Sequence, residues 1–248
     1  MAVLGGLAAA GCVGITDPAS NVGQTTARLN AHGRTDDTSA HFYFRYANQE
    51  ADLPTAAAKR TPTRTVPAHR PDNGEFGYFG ENVTDLSPGR NYFFELCGGD
   101  DKPGVPDWCG GRQEFFTEPS SSNDWVEASF GDPRAPGFLF TTLRAASGPQ
   151  GQDAGGWLVT QRAWVVYSGR VTCLKVTTQN FTKRAAIGVV GAYTAENPPR
   201  PANLLVTVST TLFQPNRYNV VEQSPDCDRA DFGNQFEQDS GITIHDAN

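Results

Sequence analysis

The sequence predicts an all-β protein of two domains. No stretch carries the roughly 10 to 12 residues of 3.6-residue periodicity that an amphipathic helix needs. Short runs rich in Thr, Val and Phe are punctuated by turn formers, with 26 Gly and 17 Pro among 248 residues. Where apolar residues recur, they alternate with polar ones at a period of two, the signature of half-buried strands. No apolar run reaches the roughly 18 residues of a membrane-spanning helix.

Taken in chain order, the first domain occupies residues 13–118. Thr26–Ala31 alternates small or apolar residues with polar ones, and His41–Tyr46 places Phe42, Phe44 and Tyr46 on one face. Between Leu86 and Tyr92 the chain reads L-x-P-G-x-x-Y, with Pro88 and Gly89 at a turn and a strand, Phe93–Leu96, directly after it. Gln113–Thr117 closes the series. The phrases TTARLNA, FYFRY, LSPGRNYFFEL and FFTEP, in that order, resemble a fibronectin type III domain of the bacterial kind. That resemblance implies a Greek-key sandwich in which Leu86, Pro88, Gly89 and Tyr92 form a tyrosine corner, the phenol reaching back to backbone near Leu86. The usual Trp of the second strand is not evident, and the Pro/Thr-rich stretch 51–74 leaves room only for short strands.

Residues 119–124, Pro-Ser-Ser-Ser-Asn-Asp, are a composition break and read as a linker. The second domain, 125–248, offers seven runs of strand length: 125–130, 138–144, 157–167, 171–178, 185–190, 204–212 and 242–245. Turn signals at 147–149, 168–169, 197–199 and 214–216 separate them, which predicts a β-sandwich or a β-barrel. The segments SGPQG (147–151), VTCLKV (171–176), RAAIG (184–188) and GITIHDA (241–247) resemble a C-terminal domain of exported proteins from high-GC Gram-positive bacteria. No activity is assigned to that family.

The opening MAVLGGLAAAGC resembles the lipobox of bacterial lipoproteins. The resemblance implies export, lipidation of Cys12, and residues 1–12 as a signal remnant, with an ordinary secretory h-region or an N-terminal strand as the alternatives. Any contact with a membrane would then be through the lipid anchor. The other four cysteines divide evenly, Cys97 and Cys109 in the first domain and Cys173 and Cys227 in the second. In an exported chain such a set reads as disulfides. Three pairings are possible, and proximity favours 97–109 with 173–227. A metal site is the other use of cysteine, but no C-x-x-C spacing is present.

The net charge of −7 speaks against a nucleic-acid partner, which wants a basic face. Lys59, Arg60, Arg64 and Arg70 are the one basic cluster and read as a solvated loop. The four histidines, His32, His41, His69 and His245, match no catalytic pattern, and no H-E-x-x-H, G-x-S-x-G or S-x-x-K motif occurs. No catalytic residue and no cofactor are predicted. Asp226, Asp228 and Asp231, followed by Glu237 and Asp239, could offer oxygens to Ca²⁺, but the spacing lacks the Gly and distal Glu of an EF-hand. A solvated acidic loop is the preferred reading. Trp157 and Trp164, in strand runs, are expected in the core, with a carbohydrate platform as the alternative. Asn82 and Asn180 head glycosylation sequons.

One position stands out as a possible ligand contact. The loop between Cys97 and Cys109 is stapled at its base and carries Asp100, Asp101 and Trp108, so it could be a rigid binding tip. The blander alternative lets the staple order the loop, with Trp108 packed on the disulfide. The function expected is a non-catalytic exported envelope or secreted protein that binds, adheres or spaces. Its partner would be an envelope glycan or another extracytoplasmic protein. The rival readings are a glycan-active enzyme with carboxylates in the second domain and a structural subunit of a surface or filament assembly.

Overall fold

The computed structural model describes residues 13–35, 39–67, 77–101, 107–132, 139–162, 165–195, 197–212, 214–233, 235–238 and 241–247. Cys12 and the lipobox, His69, Arg70, Trp164 and Asp239 lie outside the described residues. The chain is all-β and divides into two units. Residues up to Leu86 with Asn91–Thr117 form one; Ser87–Arg90 with Glu118–Asn248 form the other.

The first unit is a sandwich of two antiparallel sheets. Its strands are β1 (Val13–Ser20), β2 (Ala27–Arg34), β3 (Ala40–Ala47), β4 (Lys59–Arg60), β5 (Arg64–Val66), β6 (Gly77–Val83), β7 (Asn91–Asp100), β8 (Trp108–Cys109) and β9 (Gln113–Phe116). One sheet runs β1-β2-β6; the other runs β4-β3-β7-β8, with β5 also on β3 and β9 also on β7. Period-two alternation supplies the core. Leu29 and Ala31 enter from one sheet, Phe42, Phe44, Phe94 and Leu96 from the other. Tyr92 is buried and stacks on Phe115, ring centroids 5.6 Å apart. The Leu86 N–H donates to the Thr25 carbonyl at 3.1 Å, and Gly89 takes φ +64°, a left-handed turn that a side chain would strain.

β1 and β6 were not evident from the sequence, because Val13–Ser20 and Gly77–Val83 are rich in Gly and polar residues. Strands within 51–74 are short, as expected: β4 and the three-residue β5. The outer face of β3 and β7 holds a second, small apolar cluster of Ala47, Leu53 and Phe93. Beside it Arg45 pairs with Glu95, whose carboxylate is only 5% exposed. A carboxylate this buried depends on such a partner.

The second unit is one antiparallel sheet of nine strands. They are β10 (Asp124–Asp132), β11 (Leu139–Ser147), β12 (Gly155–Arg162), β13 (Val165–Gln179), β14 (Thr182–Tyr193), β15 (Arg200–Thr211), β16 (Asn216–Glu222), β17 (Phe236–Gln238) and β18 (Gly241–His245). From β10 to β17 they pair in sequence order, and β18 returns to pair with β10. The sheet curls, so Phe130 of β10 stacks on Tyr218 of β16, six places away in strand order, at 4.1 Å. The question of sandwich or barrel thus resolves to a curled half-barrel. Its concave side holds Val126, Phe130, Leu143, Leu158, Ile187 and Val206, all fully buried or nearly so. Tyr167 lies among them; burial pushes its phenol up to about 12, and it donates to the Ala202 carbonyl at 3.1 Å.

Two expectations change. The run 157–167 is two strands, β12 and β13, and the expected turn at Ser168-Gly169 lies inside β13. β16 and β17 add to the predicted set; their few inward side chains, such as Tyr218, left no long apolar run to read.

Both cysteine pairs are bonded, Cys97 to Cys109 and Cys173 to Cys227. The second depends on a bulge. Between Val171 and Cys173 the register of β13 against β14 shifts by one. Val171 and Leu174 therefore both face the core, while Cys173 faces out. There it meets Cys227, in a 3₁₀ turn of the segment that follows β16. Gly188, directly opposite Cys173, lets that segment lie close: a Cβ would sit 2.1 Å from the Pro225 carbonyl oxygen. Lys175 adds an ion pair to Asp228 at 2.7 Å. The pair closes a loop of 54 residues. Replacing Cys173 and Cys227 by Ser is expected to cost about 4 kcal/mol by the chain-entropy relation. Chemical denaturation would record it as an earlier midpoint, and limited proteolysis should cut first within 223–233.

Candidate functional site

The residues singled out from sequence fall in different places. Cys97 and Cys109 face each other across β7 and β8, and the loop they close holds Asp100 and Asp101. Trp108 points the other way. Its indole packs on the core of the first unit, edge-on to Phe42 at 6.2 Å, and a Cβ on Gly14 would strike it at 2.5 Å. What faces outward at this loop is a hydrogen-bonded chain that sequence reading did not assemble. His41 of β3 stands between two carboxylates, Nδ1 to Asp101 at 3.0 Å and Nε2 to Asp107 at 2.9 Å. Ser39 donates to Asp101 at 2.8 Å and the Tyr43 hydroxyl donates to Asp107 at 3.0 Å. The Arg60 guanidinium lies over the Tyr43 ring at 3.7 Å, so the basic cluster is in part engaged here. Arg64 pairs with Glu81.

A neutral imidazole has one N–H and can donate to only one of the two aspartates; the imidazolium serves both. Burial pulls the His41 pKa down, but the hydrogen bonds to Asp101 and Asp107 outweigh it, and the net shift is upward. Asp101 moves the other way, lowered by its bonds from Ser39 and His41. The His41 contribution is complete below its ordinary 6.5 and is lost as pH rises through the raised value. The Asp101 contribution is complete above its ordinary 3.8 and is lost as pH falls through the lowered one. The clamp is therefore whole between those two ordinary values. An NMR titration of the His41 ring should give a midpoint above 6.5, with amide exchange at 99–101 and 107–110 quickening above it; a midpoint at or below 6.5 contradicts the clamp.

The acidic run in the second unit does not gather. Asp226 caps the 3₁₀ turn by accepting from the Asp228 N–H at 3.0 Å, and it pairs with Arg229 at 3.1 Å. Asp228 is held by Lys175, which lowers its pKa, and Asp231 accepts from the Gly233 N–H at 2.7 Å. Each carboxylate serves its own neighbour. Among the described residues the one grouping of potential ligand atoms is Glu95 with Cys97 and Cys109, whose sulfurs are bonded to each other.

The second unit carries a concavity of about 200 Å³ that sequence reading missed. Trp125 and Glu127 of β10 and Arg144 of β11 line it, with Glu118 and Pro119. Strand alternation puts these three side chains on the convex face, opposite buried Val126, Ala128 and Ala145. The Trp125 ring is held flat by His245 of β18, stacked at 5.6 Å and 16°. Three contacts fix that stack. Trp125 and His245 are register partners, His245 Nε2 donates to the Ser121 carbonyl at 3.0 Å, and Asp124 accepts from the Ala247 N–H at 2.9 Å. Burial raises the Asp124 pKa. The stretch read as a linker takes part, since Ser120 and Asn123 bond each other and Asn123 donates to the Ser147 carbonyl at 3.1 Å. Glu127 and Arg144 form a loose pair at 3.7 Å. Trp157, expected in the core, is 37% exposed on this same face, because Leu158 takes the inward position.

No protein-family model matches the chain, and no curated protein matches it. Among solved structures, it is similar to the sensor domain of the anti-sigma factor RsgI4 of Pseudobacteroides cellulosolvens, with 14% identity, 44% of this chain and 96% of that chain covered, and a TM-score of 0.33. The uncharacterised protein lmo2446 of Listeria monocytogenes, solved with glucose, magnesium and calcium, is 9% identical, with 81% of this chain and 20% of that chain covered and a TM-score of 0.28. Superposition this loose assigns neither a family nor a function.

Proposed function

We propose that the protein is a non-catalytic, extracytoplasmic binding protein whose ligand is an envelope glycan, held at the concavity of the second unit. The observation that carries this reading is the Trp125 ring, fixed flat by His245 beside the Glu127–Arg144 pair. A flat indole offers the apolar face of a pyranose a stacking surface, and flanking charged groups offer hydrogen bonds to its hydroxyls. The concavity is smaller than the pockets that enclose a whole ligand, and it is open to one side. Such a site seats one ring of a longer chain and does not surround a scissile bond, which favours binding over hydrolysis.

Two disulfides support an oxidising compartment. Lipidation at Cys12 would tether the protein to the membrane surface. The first unit, a sandwich of a three-stranded and a six-stranded sheet, would act, as a fibronectin type III relative, as a spacer or a second adhesive module.

Calorimetric titration with purified envelope polysaccharides is the test. Trp125→Ala should weaken binding at least roughly tenfold, the scale of one lost aromatic stack, with thermal stability little changed. Equal affinity of the variant and the wild type would remove the site, and no binding to any glycan would remove the reading.

A further inference from the structure

We infer that the glycan held at this concavity is cationic, its seated ring an amino sugar with a free, protonated amine, and that Glu118 and Glu127 recognise that amine. The inference rests on the glycan reading above and names the class of its ligand. In the register of β10 to β13, Glu127 lies opposite Arg144, Arg144 opposite Trp157, and Trp157 opposite Arg170. All four are outward, since Ala128, Leu143, Leu158 and Val171 take the buried positions.

The charges around the Trp125 ring decide the sign of the ligand. Glu118, Glu127 and Arg144 line the concavity, two carboxylates against one guanidinium. Arg144 answers Glu127 loosely, at 3.7 Å, with both side chains partly open to solvent. Glu118 is exposed and its carbonyl accepts from the Gly89 N–H at 3.2 Å. Among the described residues no cation pairs with its carboxylate. Arg170, the next guanidinium along the row, has a partner of its own and is not counted here. The His245 ring, stacked on Trp125, is turned to the Ser121 carbonyl. One carboxylate at the site is therefore left without an opposite charge.

A neutral ring seated here would strip water from that surplus carboxylate and return no charge to it, which weakens binding. A protonated amine instead gives the carboxylates charge-assisted hydrogen bonds, each roughly twice as strong as a neutral one. The C–H face of the same ring stacks on Trp125, and the indole face attracts a nearby ammonium. The field of the whole protein acts in the same direction, since a net charge of −7 draws in a polycation and repels a polyanion. A lysine-rich peptide also offers ammonium groups, but it has no rigid apolar ring to lay on a flat indole.

The experiment is calorimetry on the full, oxidised chain at about pH 6.5, where such amines are protonated and carboxylates ionised. The probes are the glucosamine tetramer, the neutral N-acetylglucosamine tetramer and tetralysine. The glucosamine tetramer should bind at least roughly tenfold tighter than the acetylated one, a preference of about 1.4 kcal/mol, and more weakly as salt rises. Glu118→Gln should cut that preference, and the double variant with Glu127→Gln should bring the two tetramers within about twofold. Glu222→Gln, which removes the same charge from β16, should leave the preference intact and so separates the site from the general field. Unchanged circular dichroism would exclude misfolding as the cause of any loss. Equal affinity for both tetramers, or tighter binding of the acetylated one, overturns the amine inference and leaves the glycan reading standing. Tetralysine bound as tightly as the glucosamine tetramer shows charge alone at work and overturns the inference; tetralysine bound alone overturns both readings in favour of a basic peptide. Binding of none of the three overturns the amine inference, and the polysaccharide titration then decides the glycan reading separately.

Discussion

The second unit has a single sheet, and a single sheet that curls has one inside. Every strand must therefore send alternate side chains into the same concave core and leave the rest on the convex surface. That constraint decides where almost every residue of the unit goes. It places Val126, Leu143, Leu158 and Ile187 within. It sends Trp125, Glu127, Arg144, Trp157 and Arg170 outward by default, with no separate device needed to expose them. At one point the alternation is deliberately broken. The bulge before Cys173 lets β13 keep apolar residues inward on both sides of the break while turning a sulfur to the outside.

The two units handle their polar groups differently. In the first, polar side chains are drawn into pairs on the outer faces of the sandwich: Arg45 with Glu95, and His41 between Asp101 and Asp107. These contacts hold the ends of a stapled loop. In the second, the convex face is organised in cross-strand rows, where neighbours on adjoining strands combine into a surface patch. Both arrangements are built from residues distant in sequence, which is why neither forms a motif.

Much of the architecture was legible in the sequence. β2 alternates clearly, β3, β7 and β9 are marked by their aromatic runs, and the even division of four cysteines between two halves foretold both bonds. Gly89 does take a left-handed turn and Tyr92 is buried. Legibility failed where the period was interrupted or too brief. β12 and β13 merged into one run because no Gly, Pro, Asn, Asp or Ser interrupts 157–167, and the bulge at β13 hid its parity. Trp157 was assigned to the core by residue type, although its neighbour Leu158 was the better inward candidate; counting the alternation through β12 would have turned it outward. The His41 clamp joins positions 60 and more residues apart, and the Trp125–His245 stack joins the two ends of one domain. Only pairing of the strands brings such groups together.

The covalent loop from Cys173 to Cys227 has a further consequence for how the protein ages. It encloses the hairpin tip at Asn180-Phe181 and the turn at Asn197-Pro198, both exposed. A single backbone cut at either place does not release a fragment, because the sulfur bridge and the β13-to-β16 ladders still join the pieces. The molecule can be nicked and remain one object. In a surrounding where repair and resynthesis are remote, that tolerance lengthens service life beyond what the intact chain's folding stability alone would grant.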